Sequence, residues 1–238
     1  MWNRYGEPLS LAEVAETATF SKFYFSRVFR SVTGTSPGRF LTAIRLYRAK
    51  QLLLKTSLSV TDIAYKVGYN SLGTFTSRFT RSVCFSPARY RSSSQAGMPA
   101  LPPFTMSASP QRCSTVYGRI EVPEVDSPMR VYVGAFTSPI VEGLPVACDV
   151  LDSSGAYELP GVPDGTWFIQ AAAVAIRDVD PQPWNRRPLF VGAGSVTARG
   201  SRGFEVDLKL HPMSRVDLPI LLALPELDSQ KLPELVQV

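Results

Sequence analysis

Apolar positions set the first half of the chain on a helical period. Leu11, Val14, Ala15 and Ala18 form a one-sided stripe. Ser10 and Glu13 flank its start in the pattern of a capping box. Thr19 and Phe20 make a turn, and Ser21 caps a second helix with Phe25, Val28, Phe29 and Val32 as its expected inner face. Gly34 is placed to end that helix in a left-handed conformation. Ser36 and Pro37 open a third helix, since proline is tolerated in a first turn. It is expected to run to about Lys55, with Phe40, Ile44, Leu52 and Leu53 inward and Arg45, Arg48, Lys50 and Lys55 outward.

The pattern then repeats. At an offset of 49, Ser10, Glu13, Val14, Ala15, Ala18 and Phe20 meet Ser59, Asp62, Ile63, Ala64, Val67 and Tyr69. At an offset of 50, Phe25, Phe29, Ser36, Pro37, Arg39 and Phe40 meet Phe75, Phe79, Ser86, Pro87, Arg89 and Tyr90. Ser71 or Asn70 caps the second copy's later helix, and Gly68 makes its turn. Two short helices joined by a tight turn form a helix-turn-helix, whose second helix enters the major groove of DNA. The repeat therefore predicts two reading helices joined by a helical spacer.

Charge divides the chain at the same place. Residues 1–92 hold 14 Lys and Arg against 4 Asp and Glu, a net of +10; residues 93–238 hold 11 against 16, a net of −5. A basic half beside an acidic half suits a densely negative partner such as double-stranded DNA.

Residues 9–91 resemble the DNA-binding domain of the AraC/XylS family. The resemblance is carried most closely by the run from Asp62 to Gly68, by Phe75 to Phe79, and by Ser86 to Arg91. It implies two helix-turn-helix subdomains bridged by one long helix, able to read two successive major-groove segments. The implied base-reading positions are Lys22, Phe23, Ser26, Arg27 and Arg30 in the first reading helix, and Leu72, Gly73, Thr76 and Ser77 in the second. Arg27 suits a bidentate contact to guanine and Phe23 a thymine methyl, whereas the second set is small or apolar. The first helix is thus expected to carry most base specificity. Arg78, Arg81, Arg89 and Arg91 are the expected phosphate contacts.

The chain departs from the family pattern at three places. Thr19 and Cys84 stand where glycine is usual, although their repeat partners Gly68 and Gly34 keep it. A non-glycine residue at positive φ is uncommon, so these turns are expected to be strained or reshaped. The family also has a full helix ahead of the first pair, where only Met1 to Tyr5 stand. The expectation is a stunted helix or a start that is set late.

Residues 93–114 are rich in serine, glycine and proline and read as a flexible linker. Beyond it the apolar period becomes two. Strand-like runs are Val116–Val122, 130–135, Leu144–Leu151, Ala156–Leu159, Thr166–Ala175, Pro188–Gly192, Phe204–Leu210 and Val216–Leu224. Turn signals at Asp152 to Gly155 and at Pro163 to Gly165 separate some of them. The fold expected is multidomain: an all-α double helix-turn-helix domain over 1–92, then an antiparallel β-sandwich over 115–238. The stretch from Gly143 through Tyr157 to Trp167 resembles carboxypeptidase-regulatory-like, transthyretin-like domains, which implies a non-catalytic binding or stabilising module. On that resemblance Asp152 is a turn residue.

Catalytic signals are weak. His211 is the only histidine, and no nucleophile elbow, zinc motif or phosphate loop is present. The sequence therefore predicts no enzyme, no cofactor and no metal site. Cys84, Cys113 and Cys148 lack metal or disulfide spacing, which suits a reducing cytoplasm; the family resemblance implies a bacterial protein on the nucleoid. No apolar run reaches the roughly 20 residues that span a bilayer. Trp184, Arg186 and Arg187 form an aromatic and basic loop that is a candidate ligand site, beside the reading in which Trp184 seals one end of the sandwich.

The reading is a sequence-specific transcriptional regulator, activator or repressor. Its expected partners are double-stranded DNA, RNA polymerase, a small-molecule effector and a second copy of the chain, with no membrane. In one alternative the sandwich is a carbohydrate- or protein-binding module tethered to a non-specific DNA-binding half. In another the acidic half covers the basic face and inhibits it.

Overall fold

The computed structural model describes residues 1–96, 113–176 and 188–222. Among them, helices α1 (Leu11–Thr17), α2 (Lys22–Thr33), α3 (Pro37–Lys55), α4 (Val60–Lys66), α5 (Leu72–Val83) and α6 (Pro87–Ala96) precede all the strands. The strands are β1 (Cys113–Glu121), β2 (Met129–Phe136), β3 (Ala147–Leu151), β4 (Gly155–Pro163), β5 (Gly165–Ala175), β6 (Phe190–Ala198), β7 (Gly203–Glu205), β8 (Leu208–Lys209) and β9 (His211–Pro212). The chain divides into two compact units. The first is Met1–Gly97 with Pro139–Gly143 and Ser214–Leu222; the second is Met98–Ser138, Leu144–Met213 and Ala223–Val238.

In the first unit the local sequence fixes the helix ends. Ser10 with Glu13, and Ser59 with Asp62, close reciprocal capping boxes. Ser21, Ser36 and Ser71 each accept a hydrogen bond from the amide three residues on. These bonds satisfy donors that the first helical turn leaves free. The turns also repeat: Phe20 donates to Ala15 at 2.9 Å and Tyr69 to Ala64 at 3.0 Å. Gly34 and Cys84 both cap in the left-handed region, at φ 72° and 71°. Thr19 lies at φ 59°, opposite Gly68 at φ 87° in the repeat. The two non-glycine turns keep the glycine geometry, so the strain expected from the sequence is present.

Aromatic packing repeats as well. Phe25 meets Phe29 at 5.4 Å and Phe29 meets Phe40 at 5.2 Å. The matching distances are 5.6 Å for Phe75 with Phe79 and 5.7 Å for Phe79 with Tyr90. The two cores differ in completeness. Ile63, Val67, Phe75, Phe79, Val83 and Tyr90 are all fully buried. In the first copy Val14, Ala18, Phe29 and Thr33 remain half-exposed and line an open hollow with Phe25 and Phe40. Met1 to Gly6 form turns rather than a helix.

Three sequence expectations differ here. Val32, expected inward, is 64% exposed, because the inner face of α2 runs along Phe25 and Phe29. Lys50, expected outward, is only 8% exposed; its ammonium donates to the carbonyls of Leu221 and Leu222 and lies over the Tyr90 ring. Residues 216–222 form no strand. Leu221 and Leu222 instead donate to the carbonyl of Val141, within the first unit.

The second unit is a pair of sheets. One runs β4-β1-β7, with β8 also on β1; the other runs β3-β2-β5-β6-β9. All pairings are antiparallel except β7 and β8 on β1. Inner-face residues of both sheets, among them Val116, Ile120, Val133, Leu159, Ile169 and Ala173, share one core. The turns after β3 and β4 carry the chain from one sheet to the other. Asp152 pairs with Arg130 at 3.2 Å, and Asp164 accepts from the Gly200 amide at 2.9 Å. No disulfide joins Cys84, Cys113 or Cys148. Burial, aided by Asp149, pushes the Cys148 thiol up to about 11, which keeps it protonated near neutral pH.

Candidate nucleic-acid interface

The inner faces of α2 and α5 are committed to the cores, so their outer faces are the candidate reading surfaces. On α2, Lys22, Phe23, Arg27 and Arg30 are exposed and Ser26 is half-buried. Phe23 is 91% exposed, an unusual place for a large apolar ring that no intramolecular packing explains. On α5, Leu72, Gly73 and Ser77 are exposed and Thr76 is half-buried. The two faces are unlike in chemistry. The first offers three cations and an aromatic ring; the second offers hydroxyls, one leucine and a bare backbone segment at Gly73.

Tyr24 and Phe20 belong to this surface and are absent from the positions inferred above. The Phe20 ring meets the Tyr24 ring edge-on at 4.9 Å, and the Arg27 guanidinium lies 5.4 Å from the Tyr24 centroid. For Tyr24 and Arg27 the sequence signal was the spacing, since positions three apart on a helix are neighbours; Phe20 reaches Tyr24 from the turn before α2.

The four arginines expected at phosphates fall into two environments. Arg78, Arg81 and Arg89 are exposed, and Arg89 lies 5.2 Å from the Phe85 ring centroid. Arg91 is half-buried and donates to the carbonyls of Leu53 at 3.3 Å and Leu58 at 2.6 Å. It thereby holds the carbonyl end of α3, where the helix leaves acceptors free. Arg45 is also turned inward, donating to the carbonyls of Tyr5 and Glu7, and burial lowers its pKa. Glu13 is held below the usual carboxylate range by hydrogen bonds from the Ser10 amide and hydroxyl. It therefore stays a charged cap rather than a proton-transfer group. Trp184, Arg186 and Arg187 lie outside the described residues. Among the described residues no cluster of His, Cys, Asp and Glu has the makings of a metal site, and no helix is long and apolar enough to cross a membrane.

A helix-turn-helix domain model matches residues 14–93. A protein of Haemophilus influenzae named as an uncharacterized HTH-type transcriptional regulator is 43% identical over 83 residues, covering 35% of this chain and 28% of its own. The transcriptional regulator Rob of Salmonella typhimurium is 38% identical over 89 residues, covering 37% of this chain and 31% of its own. Among solved structures, the DNA-binding domain of AdpA in complex with a target DNA is 32% identical, with a TM-score of 0.39 over 40% of this chain and 86% of that one. The chain thus spans about three-tenths of the length of the two named relatives.

Proposed function

We propose, from the premise that residues 14–93 are an AraC-type helix-turn-helix domain, that the protein is a sequence-specific DNA-binding transcriptional regulator and not an enzyme. The observation that carries the reading is the exposed outer face of α2, where Phe23 and Arg27 stand free of the core while Phe25 and Phe29 anchor the helix from behind. Lys22, Phe23, Ser26, Arg27 and Arg30 read bases, with Arg27 toward guanine. Leu72, Gly73, Thr76 and Ser77 offer little hydrogen-bonding discrimination, so α5 seats a weaker half-site. Arg78, Arg81 and Arg89 grip phosphates; Arg91 acts chiefly by holding α3.

In this reading residues 1–92 read DNA, 93–114 link, and the sandwich of 115–238 senses an effector, joins two copies or meets a partner such as RNA polymerase. The site of action is the bacterial nucleoid. The test compares variants of the full chain on a selected duplex and on an unrelated one. Arg27→Ala is expected to cost about 1–3 kcal/mol on the selected duplex alone. Arg81→Ala is expected to weaken both equally and to flatten the salt dependence. Equal losses from both variants on both duplexes would defeat the assignment.

A further inference from the structure

The internal repeat pairs the helix caps and the aromatic core positions of its two copies, and it assigns a partner to Arg89. Arg39 stands 50 residues earlier, at the same third position of a helix that opens with Ser and Pro. The local geometry matches: the Arg39 amide donates to the Ser36 hydroxyl at 3.4 Å and the Arg89 amide to the Ser86 hydroxyl at 3.2 Å. Both side chains are exposed. Their surroundings differ: the Arg89 guanidinium lies 5.2 Å from the Phe85 ring centroid, where the first copy has Thr35. No carboxylate among the described residues pairs with Arg89, whereas Arg39 donates to Glu142 Oε1 at 3.0 Å.

Glu142 is held in place. Its second oxygen accepts from the Ser82 hydroxyl at 2.8 Å, and the next amide, of Gly143, donates to the Ser82 carbonyl at 2.9 Å. Its own amide donates to Ile140 at 2.9 Å, and Val141 accepts from Leu221 and Leu222. All these residues belong to the first compact unit. An arginine that donates to a carboxylate presents the same fork to a phosphate.

We propose that Arg39 is a phosphate-docking residue of the first helix-turn-helix pair and that Glu142 competes with DNA for its guanidinium. The inference rests on residues 14–93 binding DNA. Glu142 is a built-in counter-anion that lowers affinity until a phosphate displaces it. Exposed ion pairs are weak, so displacement is easy and the expected effect is about two- to five-fold.

The test uses the full chain, a selected duplex and a random-sequence duplex over a range of salt. Glu142→Gln removes the charge but keeps an amide oxygen for the Ser82 hydroxyl, so the fold is retained. It is expected to tighten binding to both duplexes by about two- to five-fold and to steepen the salt slope by up to about one. Arg39→Ala is expected to weaken binding and flatten the slope, and adding E142Q to it should bring no gain. Glu158→Gln, which removes an exposed acid elsewhere, should change nothing. The proposal is overturned by a gain from E142Q that persists without Arg39, by an equal gain from E158Q, or by unaltered affinity in R39A. Failure of the unaltered protein to bind any duplex would instead remove the DNA-reading premise.

Discussion

The Arg27 guanidinium lies 5.4 Å from the centroid of the Tyr24 ring, one turn back on the same reading helix. Such a contact on an exposed helix contributes about 0.5–1 kcal/mol. That is a sizeable part of the roughly 2 kcal/mol of side-chain entropy an arginine loses when fixed. In the proposed reading Tyr24 positions Arg27 before DNA arrives. Tyr24→Leu is expected to weaken binding to the selected duplex about three-fold and to leave binding to unrelated duplexes unchanged. Fluorescence anisotropy on both duplexes reads this directly. An equal loss on both would make Tyr24 a phosphate contact instead.

The two left-handed non-glycine turns are sites of recoverable stability. Thr19 and Cys84 sit at φ 59° and 71°. The left-handed conformation costs an L-residue about 1–2 kcal/mol, and glycine gives back part of that through its freer unfolded chain. Thr19→Gly and Cys84→Gly are each expected to raise stability by about 0.5–1 kcal/mol, seen as a higher urea midpoint. Gly68→Ala is expected to do the reverse. At φ 87° its new Cβ would also stand 2.9 Å from the Arg45 guanidinium. A destabilised C84G would show that the turn tolerates cysteine without strain.

Much of the first unit was legible in the sequence because local rules act there without help. Serines at the helix starts, an acid three residues on, and a 3.6-residue apolar period name the same helices that the backbone forms. The repeat matched Phe29 with Phe79 and Phe40 with Tyr90, and each copy makes the corresponding ring contact. What escaped was set by partners distant in sequence. Lys50 reads as a surface lysine until the carbonyls of Leu221 and Leu222 arrive from 171 and 172 residues away. Arg91 reads as an outward docking arginine, and only the folded chain adds the bonds from its guanidinium to the carbonyls of Leu53 and Leu58. In the sandwich, period-two alternation named most strands. It could not show that β7 and β8 lie parallel to β1, because strand direction leaves no trace in alternation.

The unequal cores predict unequal dynamics. The second copy seals its inner face with fully buried side chains, while the first leaves Val14, Phe29 and Thr33 partly open. Regions with fewer buried apolar contacts open at lower free energy. Amides of α1 and α2 are therefore expected to exchange with solvent deuterium faster than those of α4 and α5. Addition of the selected duplex should protect α2 most. Equal exchange in the two pairs would show that the hollow does not weaken the first.

Arg91 separates stability from docking. Its bonds to Leu53 and Leu58 are made by a charged donor at a helix end, and such bonds are worth about 1.5–3 kcal/mol when well shielded. The group is half-buried, so Arg91→Ala is expected to lower stability by about 1–2 kcal/mol. The salt slope of DNA binding should stay as it is. A flattened slope with unchanged stability would return Arg91 to the phosphates.

The central claim is that the basic half reads sequence, and that α2 reads more of it than α5. Selection of bound duplexes from a random pool by the full chain at physiological salt tests this directly. The account predicts a motif with one strong and one weaker half-site about one helical turn apart, and loss of the strong half-site in Arg27→Ala. A pool with no enriched motif would contradict it and leave the basic half a grip on phosphate alone.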